Sequence, residues 1–288
     1  MHCPICGVPD SRSVWKQDGM RIEKCGGCGV FFTAERPQES ALMQLYKGSA
    51  LLKERPDPLP KGEDSFPPWK MKEHEGLLEE IARFGASSGS LLDVGCFSGM
   101  FLTNARKRGF EIAGIEPNQD AFMHVRNLLG CEVVHGSLAA AHFSPNRFSA
   151  VSFLDVIEHV EDPVADLRAA LRIMRPGGVL VLATPNVQGL PQRLVKTKRN
   201  IMRQPWCPID DVPWHLWGFT RESLKLCVEK AGFIVKKISW LEPSPLSTNL
   251  GAGSSTLKRA ILMAVAEASK RLGMSDRMVL FALKPKSG

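Results

Sequence analysis

The sequence predicts a doubly wound, mostly parallel α/β sheet of seven strands, preceded by a small cysteine-bearing unit. Three observations carry that expectation. Apolar strand patterns alternate with helical periodicity, at 91–94, 111–115, 132–134, 149–154, 178–183, 233–240 and 277–284. Strands that are apolar along their length and separated by helices belong to a sheet covered on both faces. Leu91 to Phe101 reads as a strand, a Gly-containing loop and an opening helix, and GIEPN, ending at Asn118, as a second strand tipped by an acid. Finally, Cys3-Pro-Ile-Cys6 and Cys25-Gly-Gly-Cys28 place two C-x-x-C pairs at the N-terminal end.

Residues 1–36 read as a zinc ribbon. The spacing C-x2-C-x18-C-x2-C lies in the range of zinc sites. Gly7 and Gly29 follow the two pairs and permit the tight knuckles that aim backbone amides at sulfur. Redox pairs are the competing reading, and the spacing favours zinc. Four thiolates from Cys3, Cys6, Cys25 and Cys28 close a tetrahedral shell, so the metal is expected to be structural. So short a segment has little core, and metal binding supplies its folding energy.

Residues 37–68 form a connector or lid, with a short helical pattern around Leu42–Tyr46 and then the Pro-rich ERPDPLPKGEDSFPP, which no helix can continue. A helix pattern begins at Trp69 and leads to the first strand, and the main domain runs from there to residue 288. Two insertions interrupt it. The first, 190–218, follows the fifth strand and carries a basic run from Arg193 to Arg203 without an acid. A solvated helix face is its plain reading. The second, 243–275, contains the amphipathic stretch 256–272, read as packing on its own domain or on a dimer partner rather than on a membrane surface. The last strand is expected to be antiparallel.

The loop Asp93-Val-Gly95-Cys96-Phe97-Ser-Gly99 narrows the ligand. Asp93 and Glu116 lie 23 residues apart, about one βαβ half-turn, which suits an adenosine-bearing cofactor with Glu116 on the ribose hydroxyls. A dinucleotide loop needs a middle glycine where the backbone meets pyrophosphate, and Phe97 occupies that place. S-adenosylmethionine has no phosphate, and its ammonium suits an acid at the strand tip.

Residues 88–185 thereby resemble a class I S-adenosylmethionine-dependent methyltransferase. The loop matches the first family motif without its middle glycine, and IEPN matches the second, with Pro117 beside Glu116. HGSL, residues 135–138, falls where the family contacts adenine, with Ser137 in place of the usual acid and Leu138 next to it. Asp155 opens the exit loop of the fourth strand, and RIMRPGGVLVLATPN matches the passage into the fifth. By this resemblance the cofactor positions are Asp93, Gly95, Cys96, Phe97, Gly99, Glu116, Pro117, Ser137, Leu138 and Asp155. Residues 1–46 are similar to a zinc ribbon joined to such a domain in bacterial sugar-pathway methyltransferases. The C-methylating relatives carry a further C-terminal domain that this chain lacks, so an oxygen acceptor is expected.

Ligands of an open sheet sit beyond the carboxyl ends of its strands. His159, after the fourth strand, is the first candidate base, and His215, in HLWGFT, the second, because imidazole titrates near neutrality. A structural role for His159 is the plain alternative. Asp155, Glu158 and His159 have the spacing of one helical turn and could share a face. DVIEHV also resembles the exit loop of ubiquinone-pathway O-methyltransferases, in which such a trio binds a divalent cation. Trp206, Trp214 and Trp217 either wall an acceptor pocket or fill a core.

The expected activity is methylation of a small acceptor such as a sugar, nucleotide-sugar or phenolic intermediate. The basic run over the pocket points to an anionic one. An RNA acceptor read by the ribbon is the alternative; the net charge of +7 permits it. Mixed charges and a lone Trp15 in the ribbon argue against it. Without an apolar run of eighteen residues, no membrane span is expected. Without a signal-peptide pattern, the eight cysteines are read as metal ligands or free thiols, and the location as cytoplasmic.

Overall fold

The computed structural model describes residues 2–17, 19–35, 59–60, 62–241 and 256–286. Most of the expected connector therefore lies outside the described residues, including its short helical pattern, as does 243–255 of the second insertion. The chain forms two compact units. One comprises Met1–Arg36, Ala183–Cys227 and Lys237–Leu280, and the other Pro37–Leu182, Val228–Lys236 and Phe281–Gly288.

The first unit begins with β1 (Ser11–Gln17), β2 (Met20–Cys25) and β3 (Phe31–Thr33), which pair antiparallel in that order. A fourth strand, β9 (Trp217–Gly218), joins them by pairing with β3, so that Phe31 faces Gly218 and Phe32 faces Trp217. The ribbon is therefore completed by residues far along the chain. Its apolar cluster likewise combines Ile22 and Phe31 with Val187 and Ile209. Trp217 is 2% exposed and stacks near Phe32 and Phe219, with ring centroids 6.1 and 6.3 Å away. Of the two readings open for Trp217, core filling is the one observed.

The same unit holds α5 (Leu190–Ile201), whose N1/N2 proline fits where no helical hydrogen bond is lost. The amphipathic stretch is helical over Thr256–Arg271, named α7 below; the side chains of 256–263 lie outside the described residues.

In the second unit α1 (Pro68–Arg83) leads to β4 (Gly89–Val94), then α2 (Met100–Lys107), β5 (Phe110–Glu116), α3 (Gln119–Leu129), β6 (Glu132–His135), β7 (Phe148–Leu154) and α4 (Pro163–Ile173). β8 (Met174–Pro185), α6 (Arg221–Lys230), β10 (Ile234–Trp240) and β11 (Arg277–Leu283), each shared between the units, and a 3-10 turn at Glu63–Ser65 complete the described elements. The seven-stranded sheet has the order β10-β11-β8-β7-β4-β5-β6. β4 pairs parallel with both β5 and β7, and β5 with β6. β11 runs against β8: Gly177 and Lys284 bond at one end, and Asn186 and Asp276 at the other.

Leu91, Leu92, Ala150, Val151 and Phe153 are fully buried, as a doubly covered sheet requires. Removing each large apolar side chain from water contributes about 1.5–3 kcal/mol. The chain leaves β4 toward β5 and β6 on one side, then returns to β7 on the other. The switch in winding at β4 opens a crevice at the carboxyl ends of β4 and β7, where such sheets bind ligands.

Candidate active site and metal centre

The loop from β4 into α2 turns on two left-handed glycines. Gly95 has φ 72°, and a Cβ there would lie 2.5 Å from Val156 Cγ2. Gly99, φ 75°, is the N-cap of α2, where a Cβ would come within 3.1 Å of Leu129. Between them Phe97 is also left-handed, φ 42°, which for a non-glycine residue costs on the order of 1–2 kcal/mol. The position thus keeps the backbone geometry of a glycine while carrying a bulky side chain. Cys96 directs its thiol beneath the loop, since a Cβ on Gly114 of β5 would meet Cys96 Sγ at 2.7 Å. Burial pushes that thiol well above its ordinary range, so what Cys96 offers a ligand is backbone.

Glu116, 4% exposed at the tip of β5, is held at both oxygens. The backbone amide of Phe97 donates to Oε2 at 2.8 Å and that of Asn118 to Oε1 at 2.8 Å. The strained loop and the acid are therefore locked to each other. Asn118 caps α3 by accepting from Asp120 N and Ala121 N. Pro117 O meets His135 Nε2 at 3.1 Å. After β6, Gly136 N donates to Glu116 O, the Ser137 hydroxyl accepts weakly from Ala140 N at 3.4 Å, and Leu138 is buried. The short side chain of Ser137 thus closes its own loop.

Asp93 is 3% exposed, and the Ser152 hydroxyl donates to its Oδ1 at 2.6 Å. Burial pushes its carboxyl up to about 7; the Ser152 bond opposes the shift and the Glu116 charge adds to it. Ser152 was not singled out from sequence; with Ser149 it is one of two hydroxyls in an otherwise apolar β7. Asp93 is thus a buried acid that an adjacent cation would hold in its ionised form.

The β7 exit loop requires a correction. Asp155, Glu158 and His159 do not lie on a helical turn: residues 155–161 form bends and turns, and α4 starts only at Pro163. Asp155 is left-handed, φ 57°, and His159 N bonds to Val156 O at 2.9 Å. Pro163 at N1 and the Asp162 cap define the helix start and keep the preceding residues outside it. Glu158 is buried and His159 half-buried, and their ligating atoms come within 4.8 Å of each other. Asp155 is not among the ligating side chains that converge with that pair. His215 lies in the first unit, half-buried, on a turn in which the amides of Trp214 and His215 both donate to Asp211 O.

The four ribbon cysteines converge. Cys3 and Cys28 Sγ are 3.7 Å apart, Cys6 and Cys25 Sγ 3.4 Å, and all four sulfurs lie within 4.8 Å of one another. A tetrahedral zinc with bonds of about 2.3 Å requires sulfur separations of about 3.8 Å, so the donor set fits that ion. The two knuckles match each other. Gly7 N bonds to Cys3 O as Gly29 N does to Cys25 O, and Cys3 N bonds to Val8 O as Cys25 N does to Val30 O. Both glycines are left-handed, φ 79° and 74°. Cys28 N also points at Cys25 Sγ at 3.4 Å, an amide dipole that stabilises a thiolate.

A sheet in this order, a glycine-turned loop after its first strand and a bonded acid after its second define the class I S-adenosylmethionine-dependent methyltransferase fold. A family model described as a methyltransferase domain matches residues 70–238, and the chain belongs to that family. It is 31% identical over 108 residues to a ubiquinone biosynthesis O-methyltransferase of Alkalilimnicola ehrlichii, a stretch that is 35% of this chain and 44% of the relative. The chain thus spans less than half of that relative's length. The [4+2]-cyclase SpnF superposes with a TM-score of 0.57 at 19% identity, covering 88% of this chain and 98% of that one. A geranyl diphosphate methyltransferase solved with S-adenosylmethionine superposes at 0.52 and 17% identity, covering 74% and 85%. At such identities the likeness shows the fold.

Proposed function

We propose that this protein transfers a methyl group from S-adenosylmethionine to an oxygen of a small biosynthetic acceptor. The observation that carries the reading is the Glu116 carboxylate, pinned by two loop amides beside buried Asp93. The donor supplies a methyl carbon already activated on a sulfonium. Glu116 accepts from the ribose hydroxyls and Asp93 holds the ammonium. His159 takes the acceptor's proton while the loop keeps water away. The name of the ubiquinone-pathway relative supports oxygen as the acceptor atom. A sugar, nucleotide-sugar or phenolic ring is the acceptor class we favour, and the basic α5 supports an anionic one. Zinc on the four cysteines is part of the same reading, as a structural ion, supported by the sulfur spacing. So are a cytoplasmic location and the domain limits given above; among the described residues no helix is long and apolar enough to cross a membrane.

The direct test is calorimetric titration with S-adenosylmethionine, followed by a screen of phenols and nucleotide sugars with methyl-labelled donor. Folded protein that binds no donor would end the proposal. In that assay His159→Ala should lower turnover about 100-fold or more while leaving donor affinity unchanged. Unaltered turnover would remove His159 as the base.

Asp93 predicts a pH dependence. Its folded pKa, about 7, lies above its ordinary 3.8, so the protonated form favours folding. That contribution is complete below pH about 4 and is lost as pH rises toward 7, by an amount on the order of 4 kcal/mol. Donor binding runs the other way, because the ammonium needs the ionised acid. Affinity should fall about tenfold per pH unit below 7, and binding near neutrality should release a proton. Calorimetry in buffers of different ionisation enthalpy measures both, and flat affinity from pH 5.5 to 8 would exclude Asp93 as the ammonium partner.

A further inference from the structure

The first unit contains a cavity of about 430 Å³, set apart from the residues assigned to the methyl donor. The ribbon contributes Lys24 and Phe31, α5 contributes Gln192, Arg193 and Lys196, and the chain beyond it contributes Trp206. Among the described residues no carboxylate lines it. Asp210, which accepts from Gln192 Nε2, is not a lining residue. Lys24, Arg193 and Lys196 make no ion pair among the described residues. Three uncompensated cations around one concavity repel each other and concentrate anions.

The cations are seated on or near aromatic surface. Lys24 Nζ lies 5.4 Å from the Phe31 ring centroid and Lys196 Nζ 4.9 Å from that of Trp206. Arg193 Nε donates to Gln188 O at 3.0 Å, which orients its guanidinium. The Trp206 indole N–H is buried without a hydrogen-bond partner.

We propose that this cavity binds a nucleoside diphosphate or an equivalent phosphorylated ring compound. The three cations take the phosphates, the Gln192 amide meets ring or sugar acceptors, and the aromatic surfaces cover the ring. The volume suits one small molecule. The site is built jointly by the ribbon and α5, which gives the cysteine unit a role in recognition. The proposal does not depend on the methyl-transfer reading.

The test uses the full chain loaded with zinc and calorimetric titration with uridine diphosphate, uridine, inorganic pyrophosphate and a short single-stranded RNA. S-adenosylmethionine is titrated in parallel. Uridine diphosphate should bind with a Kd below about 1 mM, and uridine and pyrophosphate each at least about tenfold more weakly. The double variant Arg193→Gln, Lys196→Gln should lose about tenfold or more in that affinity, and Trp206→Phe a smaller factor, with donor binding unchanged in both. Failure of uridine diphosphate to bind protein that is folded by circular dichroism would overturn the proposal. So would an unchanged affinity in the double variant, pyrophosphate binding as tightly as the nucleotide, or RNA binding more tightly than it. Nucleotide binding without donor binding would uphold this site and remove the proposed methyl transfer.

Discussion

Glu116→Ala is expected to weaken S-adenosylmethionine binding by about 100-fold or more, the largest loss of donor affinity of any single substitution in the candidate active site. Two losses combine. The variant removes the acceptor of the ribose hydroxyls, and it strips Phe97 N and Asn118 N of their partner. Each buried amide left unsatisfied costs about 1–3 kcal/mol. Phe97 is held in a left-handed conformation that opposes its own side chain, and one of its restraints would go. The loop should relax away from the geometry of a donor-binding turn, so thermal stability should fall together with affinity. Glu116→Gln separates the two losses: its carbonyl can still accept one amide, so it should recover part of the stability and less of the affinity. Calorimetry with thermal denaturation on both variants measures this. Wild-type donor affinity in Glu116→Ala would remove Glu116 from the site.

Removal of metal should act on the ribbon with similar force. Structural zinc contributes an apparent 10–16 kcal/mol in small cysteine domains near neutral pH. The cluster formed by Ile22, Phe31, Val187 and Ile209 is too small to replace it. Purified protein should contain one zinc per chain by elemental analysis. A strong chelator, or Cys25→Ser, should open residues 2–33 to proteolysis and rapid amide exchange. Retained protection of that segment after full metal removal would show that apolar packing with β9 suffices.

Much of the sheet was legible because its signals are contiguous. The apolar runs at Leu91–Val94 and Phe148–Leu154, the glycines at 95 and 99 and the acid at 116 each act through near neighbours. The same holds for the paired cysteine knuckles. Other features were illegible for the opposite reason. A helical spacing drawn over Asp155, Glu158 and His159 failed because Pro163 and Asp162 start α4 later, and a turn holds the intervening residues. The left-handed Phe97 was legible only as a side chain at a glycine position, and its bond to Glu116 reaches in from the next strand.

By itself the sequence determined the fold class, the glycine-turned loop after β4 and the four thiols, because periodicity, turn chemistry and fixed spacings are properties of short segments. Only the tertiary structure decided that β9 completes the ribbon by pairing Phe31 with Gly218. It alone raised Asp93, through burial opposed by Ser152 and aided by Glu116. It also gathered Lys24, Arg193, Lys196 and Trp206 around one cavity. Strand pairing, desolvation and concavity arise between residues distant in the chain, so no local pattern announces them.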